Sequence, residues 1–216
     1  MNHITLKSVT NSQQIKPSKV VCIGRNYVDH IAELNNELPT SMVVFFKPNS
    51  AISEKLVAEH NHESLHYEAE LSFLYQSGKF TAVALGLDLT KRALQSQLKN
   101  KGLPWERAKA FDGSAIFSQF EAIQQNDINQ LQLLLTVNGV DKQQGGVSLM
   151  ILRPDQILKE LQTFTTLEDG DIVMTGTPAG VGKIDRNDYF TGKVYVNNSL
   201  SLTPKQALIE YSWQAS

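Results

Sequence analysis

The run HYEAEL at residues 66–71 carries two acids one residue apart. On an extended strand alternate side chains share a face, so His66, Glu68 and Glu70 lie on one side and Tyr67, Ala69 and Leu71 on the other. The chain continues as Ser-Phe-Leu-Tyr, which makes the strand at least half buried. An ionised carboxylate on a buried face is costly unless it is paired or bound to a cation. Two such neighbours repel, so one takes up a proton or a metal sits between them. A third acid, Asp88, stands in the apolar stretch VALGLDLT. Three carboxylates together form an oxygen-rich set suited to Mg²⁺, Mn²⁺ or Ca²⁺. On local grounds two other roles stay open: a His-Glu-Glu face turned to water, and Asp88 as a helix cap before TKRALQ.

Other residues carry chemistry of a different kind. His30 and Glu33 are three apart on an expected helix and so share a face. A carboxylate beside an imidazole fixes its tautomer and raises its basicity, which suits water activation. An ordinary solvated helix face is the alternative. Lys109, in WERAKAF, is either a solvated lysine or a charge turned inward. The segment TGTPAGVGK at 175–183 resembles a phosphate loop only superficially. Thr177 stands where such a loop needs glycine, and Ile184 follows Lys183 where Ser or Thr should bind Mg²⁺. A turn whose N–H groups and threonine hydroxyls meet a carboxylate remains open.

These residues must be positioned by a set of strands and few helices. Strands are expected over 19–24, 42–47, 65–75, 81–89 and 171–175. A short helix is expected over 26–36 with Asn26 as a candidate cap, and another over 90–100, ended by Gly102 and Pro104. Asn138-Gly139 joins 131–137 to 140–148 as a hairpin. Pro154 suits the first turn of a helix. The stretch 192–203 ends the sheet, with Asn197-Asn198 as its turn. The pattern is α+β, with irregular sheets folding over one another.

The 216 residues suit one large domain, 1–216, with a formal net charge of −2. No basic stripe marks a nucleic-acid binder. No apolar run reaches the ~18 residues of a membrane span, and the N-terminus lacks a secretory h-region. The one cysteine, Cys22 in VVCIG, reads as a core residue in a reducing compartment. A cytoplasmic protein is the expectation.

In order along the chain, GRNYVDHIAEL, VFFKP, LHYEAEL, LDLTKRALQ, KGLPWERAKAFDGS, VNG and LEDGDIVMTGTPAGVG resemble the fumarylacetoacetate hydrolase superfamily, most closely its acylpyruvase and oxaloacetate decarboxylase branch. The resemblance implies a mixed β-sandwich roll of the family's C-terminal domain type, often a homodimer. It implies that Glu68, Glu70 and Asp88 hold Mg²⁺ or Mn²⁺, that His30 and Glu33 form a catalytic dyad on a lid helix around 26–36, and that Lys109 points into the site. It places Arg25, Gln95 and Thr177 at positions that hold the substrate's carboxylate and keto oxygens. The expected chemistry passes through a pyruvate enolate stabilised by the cation. Acylpyruvate hydrolysis is the leading outcome. Oxaloacetate decarboxylation or tautomerisation, a dienedioate isomerase and a silent binding protein on the same fold are the rivals. Two departures bear on this. The stretch between Leu74 and Ala84 is about ten residues shorter than usual in the family, which bears on site access or the dimer surface. Ala93 replaces an acid expected to support the metal site or the orientation of Lys109.

Overall fold

The computed structural model describes residues 2–7, 12–34, 37–196 and 207–216. The expected Asn197-Asn198 turn and the end of the 26–36 segment lie outside them. Two sheets dominate. The larger runs, in spatial order, through strands Ser12–Ile15, Ile4–Lys7, Phe120–Ala122, Lys79–Asp88, Ala69–Gln76, Ile172–Met174, Lys19–Gly24 and Val43–Pro48. Ala115–Phe117 also pairs with Lys79–Asp88 and with Ile52–Ser53. The smaller sheet holds Val140–Gly146, Leu131–Val137, Tyr189–Val196 and Ile209–Gln214. Among the described residues there are four short α-helices: α1 Val28–Glu33, α2 Arg92–Asn100, α3 Glu106–Lys109 and α4 Pro154–Leu161.

Alternation builds the core. In Leu131–Val137 the buried positions are Leu131, Leu133, Leu135 and Val137, every second residue. They join Leu71, Phe73, Leu85 and Leu87 of the larger sheet, with Phe190, Val194 and Trp213, in one apolar cluster between the sheets. The strand Ala69–Gln76 is buried at its first six positions, because its far side faces a second cluster that contains Cys22, Leu74, Ala84 and Met174. Cys22 is thus a core residue, 1% exposed. The architecture is the expected α+β sandwich, mostly strand.

Several local expectations need correction. The 26–36 helix is confined to Val28–Glu33 in the described residues, and Asn26 does not cap it. The Asn26 amide instead donates to Leu152 O and Thr175 O, both at 2.9 Å, and clamps the strand end to the 175–183 loop. The 65–75 strand is two pieces, His66–Tyr67 and Ala69–Gln76, interrupted at Glu68. The shortened stretch before Asp88 is a tight hairpin in which Gln76 pairs with Lys79 across Ser77-Gly78. Both turn residues have positive φ, 51° and 82°. Asp88 lies at the other end of that strand, roughly 30 Å away at ~3.3 Å per residue, so the trimming does not touch site access. Asn138 and Gly139, φ 53° and 78°, form the hairpin turn the sequence indicates.

Candidate metal centre and its surroundings

The break at Glu68 and the end of strand Lys79–Asp88 bring three carboxylates together. Glu68, Glu70 and Asp88 are buried, and one oxygen from each lies within 4.8 Å of the others. Asp88 does not cap α2, which begins four residues later. The water-facing reading of the Glu68–Glu70 face is likewise excluded by burial of 6% and 2% relative exposure.

Cations answer these acids. Lys109, carried at the end of α3 and 2% exposed, donates to Glu68 Oε2 at 2.7 Å, Asp88 Oδ2 at 2.6 Å and Thr90 Oγ1 at 2.7 Å. All three of its protons are placed. Burial opposes its charge, but Asp88 and Glu68 outweigh that and raise its affinity for the proton. Lys47 has no exposed surface, and its Nζ lies 2.9 Å from Asp88 Oδ1. It donates to Lys109 O and to Ser114 O and Oγ, so it fixes the backbone that carries Lys109. Arg92 of α2 pairs with Glu68 Oε1. Burial would raise the Glu68 carboxyl; Lys109 and Arg92 overcome this and hold it well below the usual carboxylate range.

Glu70 differs. Its Oε2 accepts the Gly176 N–H at 2.7 Å, and among the described residues it has no ion-pair partner. Burial, then Asp88 and Glu68, push its carboxyl well above the ordinary value. One carboxylate short of a counter-charge, within a hard oxygen set, fits a divalent cation. Gly176 is suited to this contact: its φ is +93°, and a Cβ there would sit 2.9 Å from the Asn26 Cβ.

On α1, His30 Nδ1 lies 3.0 Å from Glu33 Oε2, and the other Glu33 oxygen accepts the Gly180 N–H at 3.0 Å. The 175–183 loop therefore does meet carboxylates, and they belong to the protein itself. His30 is 7% exposed and lines the same cavity as the acids, together with Arg25, Arg92, Gln95, Lys99, Trp105 and Thr177.

Not every expected residue is disposed as the resemblance implies. Arg25 and Gln95 line the cavity, and Gln95 Oε1 accepts from Arg92 Nη1 at 2.9 Å. The Thr177 hydroxyl turns inward: it donates to Ala69 O at 2.8 Å and accepts from Gln143 Nε2 at 2.8 Å. It therefore ties the loop to the strand between the two glutamates. Ala93 is exposed, on the opposite side of α2 from Arg92 and Gln95, and Lys109 is oriented without it.

Sequence reasoning missed Lys47, Arg92 and Gln143. Gln143 is 1% exposed; its Oε1 accepts Ala69 N–H at 2.8 Å, which holds the strand break open at Glu68. Arg92 carried a signal, since it is three residues before Gln95 on one helix face. Lys47 carried one in VFFKP, a lysine inside an apolar strand. Gln143 carried none.

The comparisons agree with this geometry. Residues 19–206 match the family model described as fumarylacetoacetate (FAA) hydrolase C-terminal, and the chain belongs to that family. Among curated proteins it is 36% identical to oxaloacetate tautomerase YcgM of Escherichia coli K12, over 81% of this chain and 87% of the relative. It is 35% identical to the human mitochondrial oxaloacetate tautomerase FAHD1, over 89% and 93% of the two chains. Among solved structures, fumarylpyruvate hydrolase from Pseudomonas aeruginosa, in complex with Mn²⁺ and pyruvate, superposes with a TM-score of 0.84 at 27% identity, over 100% of this chain and 96% of that one.

Proposed function

We propose that this chain is a divalent-metal-dependent enzyme that interconverts the enol and keto forms of oxaloacetate. The observation that carries the proposal is the buried Glu68–Glu70–Asp88 cluster, which shares one cavity with Lys109 and with His30, itself paired with Glu33. The similarity to two oxaloacetate tautomerases supports the substrate, and moves the weight from acylpyruvate hydrolysis to this outcome. A Mg²⁺ or Mn²⁺ ion held by the three carboxylates would act as a Lewis acid toward the developing enolate charge.

The chain's own residues do the rest. In the enol-to-keto direction C3 gains a proton and the C2 hydroxyl loses one; no bond between heavy atoms breaks. With Nδ1–H donated to Glu33, His30 keeps a lone pair on Nε2 that can take or return a proton. Lys109, itself buried, holds a fixed positive charge where negative charge would develop on the C2 oxygen. Arg25 and Gln95 stand at the cavity wall, where they can hold the carboxylate of a 2-oxo acid. The Glu33–Gly180 contact keeps α1 against the loop and the site covered.

The test is spectrophotometric loss of the oxaloacetate enol, with the Mg²⁺-loaded protein and then with EDTA. Acceleration beyond that of free Mg²⁺, abolished by EDTA and in Glu70→Gln, is expected. A rate no greater than that of Mg²⁺ alone sinks the proposal. Hydrolysis of acylpyruvates is the second reading, favoured by the likeness to fumarylpyruvate hydrolase. If the dyad activates water, Glu33→Ala depresses acetylpyruvate hydrolysis far more than oxaloacetate decarboxylation; equal losses remove that role.

A further inference from the structure

Helix α2 presents Arg92, Gln95 and Lys99 along one face, and all three line the cavity. Arg92 is committed to Glu68. Lys99, almost two turns and about 10 Å further along the axis, is half-buried at the mouth. Its side chain also lines the cavity that holds the acids. Nζ sits 5.0 Å from the centroid of the Trp105 ring, which steadies the stem without neutralising the charge. Among the described residues Lys99 has no carboxylate in ion-pair contact.

The balance of charge makes this position informative. Lys47, Lys109 and Arg92 equal the three buried acids in number, although they pair with Asp88 and Glu68 and not with Glu70. Lys99, and a divalent cation when one is bound, then add positive charge at the cavity, and Arg25 lines both the cavity and its mouth. A 2-oxo acid with a neutral tail brings one negative charge, whereas a diacid brings two, the second at the end furthest from the acid cluster.

We propose that Lys99 holds the distal carboxylate of a dicarboxylic 2-oxo acid and makes the site select diacids over substrates of equal length with a neutral tail. The inference rests on the reading above for which end of the substrate lies among the acids. Burial, then Arg25 and Arg92, push the Lys99 ammonium down to about 8, while Glu68 opposes them. Glu37 lines the same mouth. An anionic group placed between these cations relieves their repulsion.

The experiment compares three probes by calorimetric titration of the Mg²⁺-loaded protein: oxaloacetate, its 4-methyl ester and oxalate. The ester keeps length and removes the distal charge; oxalate has no tail. Lys99→Met keeps the apolar stem on Trp105, and Lys99→Arg keeps the charge. Lys99→Met is expected to weaken oxaloacetate about 10- to 100-fold, the range for losing one charge-assisted contact. Ester and oxalate affinities stay within about twofold, and Lys99→Arg stays close to the original protein. Equal loss for diacid and ester, or no loss for either, overturns the inference. So does an original protein that binds the ester as tightly as the diacid, a result that leaves the enolate chemistry standing. Lys99-dependent diacid binding without any turnover would sink the enzyme reading and keep this one.

Discussion

Replacing Lys47 by methionine tests how the acid cluster is held. Methionine is unbranched and of similar length, so the change removes charge and hydrogen bonds with little change of volume. Lys47 is fully buried, and its Nζ is 2.9 Å from Asp88 Oδ1. Without it Asp88 keeps one counter-charge, Lys109 on Oδ2 at 2.6 Å. Lys109 O keeps the Ser114 hydroxyl at 2.9 Å, but Ser114 O loses the ammonium that donated to it at 3.1 Å. Breaking a buried ion pair costs about 3–5 kcal/mol, and a lost buried hydrogen bond about 1–3. The two effects share atoms and do not add, so a loss of about 3–5 kcal/mol is the working figure. For a chain of this length each kcal/mol lowers Tm by about 2–4 °C, which gives a drop of roughly 6–20 °C. The assay is differential scanning calorimetry in EDTA and in saturating Mn²⁺. Mn²⁺ restores positive charge beside Asp88, so it should raise Tm by more in Lys47→Met than in the original protein. A drop below about 2 °C in EDTA would refute the Lys47–Asp88 pairing, and an equal Mn²⁺ shift in both proteins would refute Asp88 as a proposed metal ligand.

Two further substitutions probe the supports of the site. Gly180 has φ +100°, and a Cβ there would lie 1.8 Å from Lys142 O. Gly180→Ala should therefore displace the N–H that holds Glu33, and lower kcat by about 10²-fold or more while Mn²⁺ affinity stays within about threefold; parallel loss of Mn²⁺ binding would show a collapsed loop instead. Asp171 has no exposed surface and accepts from Lys19 Nζ at 2.5 Å, Ser18 Oγ at 2.6 Å and Glu168 N at 2.9 Å. Burial would raise its carboxyl, but the Lys19, Ser18 and Glu168 donors outweigh it and hold the group below 3.8. Its contribution is thus full above the unfolded value and lost as pH falls through the folded one. Asp171→Asn should flatten the acid limb of stability measured by urea melts below about pH 5; an unchanged limb would exclude Asp171 as its source.

The three clustered acids were legible because the signal is local. Glu68 and Glu70 alternate within an apolar stretch of sequence, and Asp88 ends another, so burial forces the question of their counter-charge. Asn138-Gly139 and the alternating leucines of Leu131–Val137 likewise announce a hairpin with one buried face. The His30–Glu33 spacing is a property of a single helical turn. By contrast, the strands Ile4–Lys7, Ala115–Phe117, Phe120–Ala122 and Ile209–Gln214 are short, and they exist through the partners they pair with. No periodicity reports a pairing to a distant segment.

Tertiary structure alone decided which bases answer the acids. Lys47, Arg92 and Lys109 come from a sheet-edge strand and two helices and converge on Glu68 and Asp88. It also turned Thr177 inward and put Gln143 behind Ala69. Alternation and helical spacing say which residues share a face, since those depend on neighbouring dihedral angles. Where a lysine's charge ends depends on the dielectric and the charges of everything packed around it, and that is assembled only when distant strands meet.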